Sequence, residues 1–220
     1  MIHGARHRTP STRPECGPST REVQIERSVL NAGRLSRTVH GVSDTSVSSQ
    51  KEPIALLGEP LAERARENLK SCIRYLLSVA DFPLSSPEEA KVRMMTSIRL
   101  CNQGLLGDPA ALRQWEGFPG HPSPADLPAL MEQFERELVD WDRVRLTTPV
   151  EYAAWIEQRF DHQLHPLYDG CGRVARAHAM AALIPAGILY PQFPNRDEYL
   201  AERGRELPLW TEYYRSLCSS

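Results

Sequence analysis

The feature that most constrains the fold is a helix-start signal that recurs along the chain from about residue 59. Proline stands at positions 60, 87, 109, 124, 149 and 208, and proline suits the first turn of a helix because its missing N–H would have no partner there. Several of these prolines follow a capping side chain and precede an acid: Ser86 with Glu89, Ser123 with Asp126, Thr148 with Glu151. Asn195 with Glu198 repeats the cap without the proline, and together these are the usual marks of a helix N-terminus. Behind them, apolar residues keep the helical period. Leu61, Ala65, Leu69, Cys72, Ile73, Leu76 and Ala80 share one face of a helix near 60–80. Leu127, Leu130, Met131, Phe134 and Leu138 mark a second near 125–141, and Tyr152, Ile156 and Phe160 a third near 149–163. Further helices are expected over 87–104, 172–184, 196–203 and 208–217. No period-two alternation is long enough for a sheet, so the expected class is all-α. The Gly- and Pro-rich stretch 115–124 reads as a loop or hairpin.

Residues 1–52 are rich in Ser, Thr, Arg and Gly and poor in large apolar side chains. Such a segment buries too little surface to offset its ordering entropy, so a mostly disordered leader is expected ahead of a helical domain over 53–220. Within it, Ser19 followed by Glu22 could cap a short helix carrying Val23, Ile25, Val29 and Leu30. The formal net charge of −2 argues against nucleic acid or an anionic membrane as the main partner. No stretch approaches the roughly 20 apolar residues of a membrane span, and no apolar run follows Arg6, Arg8 and Arg13 to make a secretory signal. The five cysteines are scattered with no CxxC pair, which supports neither a zinc site nor a disulfide scaffold. A cytoplasmic, reduced-compartment protein is expected; the Ser/Arg-rich leader is also compatible with the export signal of a secreted effector.

The segment that carries chemistry is His165-Pro-Leu-Tyr-Asp-Gly-Cys-Gly-Arg-Val-Ala-Arg176. A helix ends where Pro166 arrives, Asp169 to Gly172 form a permissive turn, and a new helix begins near Arg173. Glycines ahead of a helix let backbone approach a ligand closely and aim several N–H groups at it. The helix start adds about half a positive charge, and Arg173 and Arg176 add two more, which makes an anion cradle suited to the phosphates of a nucleotide. Asp169 is a hard oxygen ligand at the cradle's edge, suited to magnesium. His165 can take a proton near neutral pH and so serve as a general base.

This string resembles the Fic signature, HPFx[D/E]GNGRxxR, at seven of its nine fixed positions: His165, Pro166, Asp169, Gly170, Gly172, Arg173 and Arg176. The surroundings agree, with a helix expected over 148–163 and a stretch, 117–124, that resembles the family's β-hairpin flap. The resemblance covers roughly 60–190 and implies a Fic fold with a small hairpin near the active-site loop. It also implies roles. His165 would deprotonate a target hydroxyl, Asp169 would bind Mg2+, and Gly170, the residue at 171, Gly172 and Arg173 would hold phosphates. Arg176 would reach the terminal phosphate. The usual family reaction is adenylylation of a Ser, Thr or Tyr hydroxyl of a protein from ATP. Relatives that act as kinases carry lysine where this chain has Gly172. Alternatives at this stage are such a kinase, a transferase of another phosphodiester group, and a catalytically silent Fic-like binding module.

Two signature positions depart. Leu167 replaces phenylalanine and keeps an apolar group. Cys171 replaces asparagine, whose amide donates to a phosphate oxygen, and a thiol is a poor donor. Losing a hydrogen bond to a charged group costs about 1.5–3 kcal/mol, on the order of 10 to 150-fold in rate. Three readings of Cys171 stand: tolerance, a changed donor nucleotide, or a redox-sensitive thiol with a lowered pKa. The family's inhibitory [S/T]xxxE[G/N] helix has no full match; Glu67-Asn68 lacks the Ser or Thr four residues before. Control by a separate antitoxin, or by no inhibitor, stays open.

Overall fold

The computed structural model describes residues 19–33, 59–105, 108, 110–114, 116 and 120–218. The described chain is helical: α1 Thr20–Gly33, α2 Glu59–Ser78, α3 Pro87–Asn102, α4 Leu127–Val144 and α5 Pro149–Ile156, then a π-helical continuation Glu157–Leu164. After the loop come α6 Cys171–Leu183, a short 3-10 turn Ile184–Ala186, α7 Arg196–Arg203 and α8 Leu207–Leu217. Among the described residues there is no strand, only an isolated antiparallel bridge between Leu112 and Leu167.

Helix α6 is the axis of the fold. Val174, Ala175, Ala177, Ala179, Met180, Ala181, Ala182 and Leu183 are all buried, and the second half of the helix, apolar on nearly every side, must be enclosed. Its alanines let α2, α3 and α5 approach closely. From α2, Leu69, Cys72, Ile73 and Leu76 meet the core; from α4, Phe134 and Leu138; from α5 onward, Tyr152, Ile156 and Phe160. Trp155 stacks between Phe134 and Trp141, and Trp210 donates its indole N–H to the Ala154 carbonyl at 2.9 Å, pinning α8 to α5. Trp115 lies outside the described residues.

Several start signals act as capping chemistry dictates. Ser86 accepts from the Glu89 N–H at 3.2 Å while the Glu89 carboxylate accepts from the Ser85 N–H, and Asn195 accepts from the Glu198 N–H at 2.8 Å. Ser123 differs. Its hydroxyl donates to the Asp126 carboxylate at 2.7 Å, residues 124–126 form a turn, and α4 starts at Leu127 with Pro128 in its first turn. Pro109 lies outside the described residues.

The short helix expected behind Ser19 and Glu22 is present as Thr20–Gly33; it buries Ile25, Val29 and Ala32 in the common core, and Arg74 of α2 holds it through Glu22 at 2.9 Å. Its apolar spacing supplied the surface that the leader's average composition lacks. The rest of 1–52 falls outside the described residues. The flap expected over 117–124 lies partly outside the described residues, and no hairpin occurs among the described ones. Pro122 and Pro124 have no N–H to give a ladder, and the segment is tied to the 165–176 loop instead.

Candidate active site

The site is assembled where the π-helical segment hands over to α6. The π turn is closed by the His165 N–H donating to the Phe160 carbonyl at 3.0 Å, a five-residue step back along the chain, a geometry concentrated at functional sites. His165 then leaves the helix with φ +42°, in the left-handed region. Its Nδ1 lies 2.8 Å from the Asp161 carbonyl. A carbonyl only accepts, so Nδ1 carries the proton, and in the neutral ring the lone pair is on Nε2. The ring stacks on His121 at 5.2 Å between centroids.

Behind His165 sits a buried polar floor. Arg203, from the end of α7, pairs with the Asp161 carboxylate and donates to the Tyr199 hydroxyl at 2.9 Å. Burial alone would raise the Asp161 pKa, but Arg203, Arg176 and His165 outweigh it and hold it below the ordinary carboxylate value. One turn earlier Glu157 is fully buried and accepts from three phenols: Tyr199 at 2.7 Å, Tyr214 at 3.0 Å and Tyr190 at 3.1 Å. Burial pushes its pKa up despite those donors and Arg176. Arg176 runs under the loop between these two carboxylates, and its Nη1 lies 2.9 Å from where a side chain at Gly172 would begin.

The cradle's lip is built differently. Gly170 has φ +91°, and a Cβ there would lie 2.2 Å from the Asn102 Oδ1, so only glycine fits. Asn102, at the end of α3, accepts from Arg173 at 2.8 Å and fastens its guanidinium beside the turn. The Asp169 carboxylate accepts from the Gly170 N–H at 2.6 Å and is 3.9 Å from Arg173. No side chain caps α6, and the first bond its start makes is Val174 N–H to Gly170 O at 3.1 Å. The N–H groups of Cys171, Gly172 and Arg173 are thus presented outward, and the buried Arg173 Nε has no partner among the described residues. Such a helix start is suited to an anion.

Cys171 departs from expectation. Its backbone sits in the lip, but its thiol points inward, 1% exposed, with Sγ accepting from the Leu167 N–H at 3.3 Å. Burial drives its pKa well up, which removes the redox-sensitive reading that needed a lowered one. Leu167 is buried in place of phenylalanine. Asp161, His165 and Cys171 bring one ligand atom each within 4.8 Å of one another. Yet Asp161 is committed to Arg203, Nδ1 of His165 to a carbonyl, and the thiol keeps its proton, so this group is poorly suited to a metal.

Sequence reasoning missed five residues around the site. Arg113, fully buried, donates from Nε to the His165 carbonyl at 2.8 Å and from Nη2 to the Pro122 carbonyl at 2.5 Å, which brings His121 onto His165. Asn102, Glu157 and Arg203 come from separate helices and leave no local pattern. Asp161 had a signal, its four-residue spacing from His165. Of the flanking histidines, His178 is buried structure, bonded to Ser97 at 3.0 Å and 3.3 Å from the Tyr152 hydroxyl. His162 stays beside His121, with its pKa lowered by burial and then by Arg203. Glu67, of the partial inhibitory match, is exposed and pairs with Lys70 at 2.9 Å.

No protein-family model matches the chain. A stretch of 74 residues, 33% of this chain, is 40% identical to proteins named protein adenylyltransferase Fic from Drosophila erecta and Drosophila persimilis, and it spans 14% of their length. A solved structure of a Fic domain containing signaling protein from Bacteroides thetaiotaomicron VPI-5482 shares the fold with a TM-score of 0.58 at 18% identity, over 90% of this chain and 84% of that one. The chain thus has the fold of a Fic domain, and the string 165–176 that resembles the Fic signature stands at the start of its central helix.

Proposed function

We propose that the chain transfers a nucleoside monophosphate, AMP from ATP in the first instance, to a Ser, Thr or Tyr hydroxyl of another protein. The observation that carries this reading is the pairing of an uncapped helix start with a histidine whose Nδ1 is fixed by the Asp161 carbonyl. One binds phosphate; the other offers Nε2 to a hydroxyl. In the reaction, Nε2 takes the hydroxyl proton as the oxygen bonds to the α-phosphorus. The bond from that phosphorus to the bridging oxygen breaks, and pyrophosphate departs with its charge met by Arg173 and Arg176. Protonated His165 is the product on the enzyme side.

Asp169 fits a magnesium ion: a single carboxylate with its side chain 36% exposed, at the lip and beside the phosphate cradle. Such an ion keeps several waters and supplies charge neutralisation to the bound phosphates. Gly172 supports nucleotidyl rather than phosphoryl transfer, since any side chain there would press on Arg176 and on Asp161, whose Oδ2 is 3.2 Å from the Cβ position.

The test is label transfer to lysate proteins from each α-labelled nucleoside triphosphate and from γ-labelled ATP, with His165→Ala beside wild type. Label from an α-position should fall at least on the order of 100-fold in His165→Ala. Label from the γ-position alone would make the protein a kinase, and no His165-dependent label would leave a silent binding module.

A further inference from the structure

Asp161 touches His165 in two ways. Its carbonyl holds Nδ1–H at 2.8 Å, and its carboxylate Oδ1 lies 3.7 Å from the same nitrogen. The second distance is too long for a hydrogen bond but short for two charges. The carboxylate cannot swing away, because Arg203 pairs with Oδ2 and is itself held to Tyr199 by a hydrogen bond and by its position 4.7 Å over the ring. Asp161 is also shielded from water, so its field is weakly screened.

The charged and titratable groups around His165 and Asp161 come from every element there: His121 from the preceding loop, His162 from the π-helical segment and Cys171 from α6 near the ring, and Arg176 from α6 and Arg203 from α7 against Asp161. Arg113 meets its carbonyl rather than its ring. His121 and His162 both have lowered pKa values, burial being the larger cause in each, so neither adds charge near neutral pH. Glu157 and Asp161 face Arg176 and Arg203. Before any proton moves, this set of carboxylates and arginines is balanced.

We propose that Asp161 is a positioning residue for proton transfer at His165: its carbonyl selects the tautomer, and its carboxylate, locked by Arg203, stabilises the imidazolium formed when Nε2 takes a proton. This rests on the reading of His165 as the general base. The proton passes from the hydroxyl oxygen to Nε2 and the ring goes from neutral to singly positive. Asp161 stays ionised, because Nδ1–H is already given to the carbonyl. The rival account is that the Asp161–Arg203 pair only anchors α7 to the π-helical segment.

The two accounts separate by the behaviour of the ring. Full-length wild type and Asp161→Asn would be treated with diethyl pyrocarbonate across pH, and carbethoxylation of His165 read by fragment mass spectrometry, with kcat and KM for label transfer measured alongside. The pH of half-maximal carbethoxylation should move down by about half a unit to one unit in Asp161→Asn, and kcat should fall about 3 to 10-fold at neutral pH with KM unchanged. Should Asp161→Asn fail to fold, Asp161→Asn/Arg203→Gln removes both charges and the cost of an unpaired one, and should shift in the same direction by less. An unchanged half-reaction pH in whichever variant folds, with only the melting temperature lowered, overturns the proposal in favour of an anchor. The shift without any His165-dependent label transfer would uphold the coupling of Asp161 to His165 and sink the transferase reading instead.

Discussion

The lip and the floor of the cradle adjoin through the string 165–176 and are built differently. On the floor, Glu157 accepts three phenols, Asp161 is paired with Arg203, and Arg176 lies between the carboxylates. On the lip, α6 starts without a cap and the buried Arg173 Nε has no partner among the described residues. Buried polar groups are almost always satisfied; Arg203 Nε on the floor and Arg173 Nε on the lip both lack a partner among the described residues, but the lip adds the N–H groups of an uncapped helix start, which suits it to an anion. One string of residues serves both: Asp169, the glycines and Arg173 face up, while the Cys171 thiol and Arg176 face down.

The comparison can be broken most severely from below. Arg203→Met strands the buried Asp161 carboxylate and should cost about 3–5 kcal/mol in urea unfolding. Most of that loss should return in the Asp161→Asn/Arg203→Gln double variant, whereas an unchanged unfolding midpoint in Arg203→Met would show that the floor is not rigid.

Acid attacks the buried polar core as a whole. Burial first, then Arg93 and Arg145, push the His178 pKa from 6.5 down to about 3, so the folded protein keeps this ring neutral. The unfolded chain therefore binds more protons on acidification, and stability should fall by roughly 3 kcal/mol from this residue between pH 6.5 and pH 4. The lowered Asp161 pKa adds a contribution that is present above its unfolded value and is lost as pH falls through the folded one; the raised Glu157 pKa acts in the opposite sense. Melting curves across that range check the sum, and replacing His178 by phenylalanine should flatten them.

The lip should respond in binding before stability. Gly170→Ala forces a side chain into φ +91° and onto Asn102, about 1–3 kcal/mol of backbone strain. It should also release Arg173 from Asn102, and isothermal titration with ATP and magnesium should show the affinity lost. The smallest effect belongs to Cys171. Because the thiol faces down, Cys171→Ser should change stability by no more than about 1 kcal/mol and leave nucleotide affinity unchanged. In the native chain at pH 8, iodoacetamide should leave Cys171 unmodified; rapid alkylation would put the thiol on the lip and reverse its assignment.

What was legible in the sequence was local. The cap at Ser86 and the cap at Asn195 act through neighbours three residues away, and the helical stripes of α2 and α4 recur within each helix, so both survive in the residue order. The outward side of the site was legible for the same reason: His165, Asp169, Gly170, Gly172 and Arg173 are consecutive or nearly so. Even the misplaced start at Pro124 failed locally, when Ser123 gave its hydroxyl to Asp126. Helix α1 was legible too, through Ser19, Glu22 and the helical spacing of Ile25 and Val29.

The residue order by itself determined an all-α chain with a glycine-rich turn ahead of its central helix, because capping, period and turn chemistry depend on neighbours in sequence. Tertiary structure alone decided what stands beneath that turn. Arg203 lies 42 residues from Asp161, Asn102 lies 71 from Arg173, and Arg113 lies 52 from His165. A buried charge takes whichever partner packing brings within reach, and no period or propensity encodes that meeting.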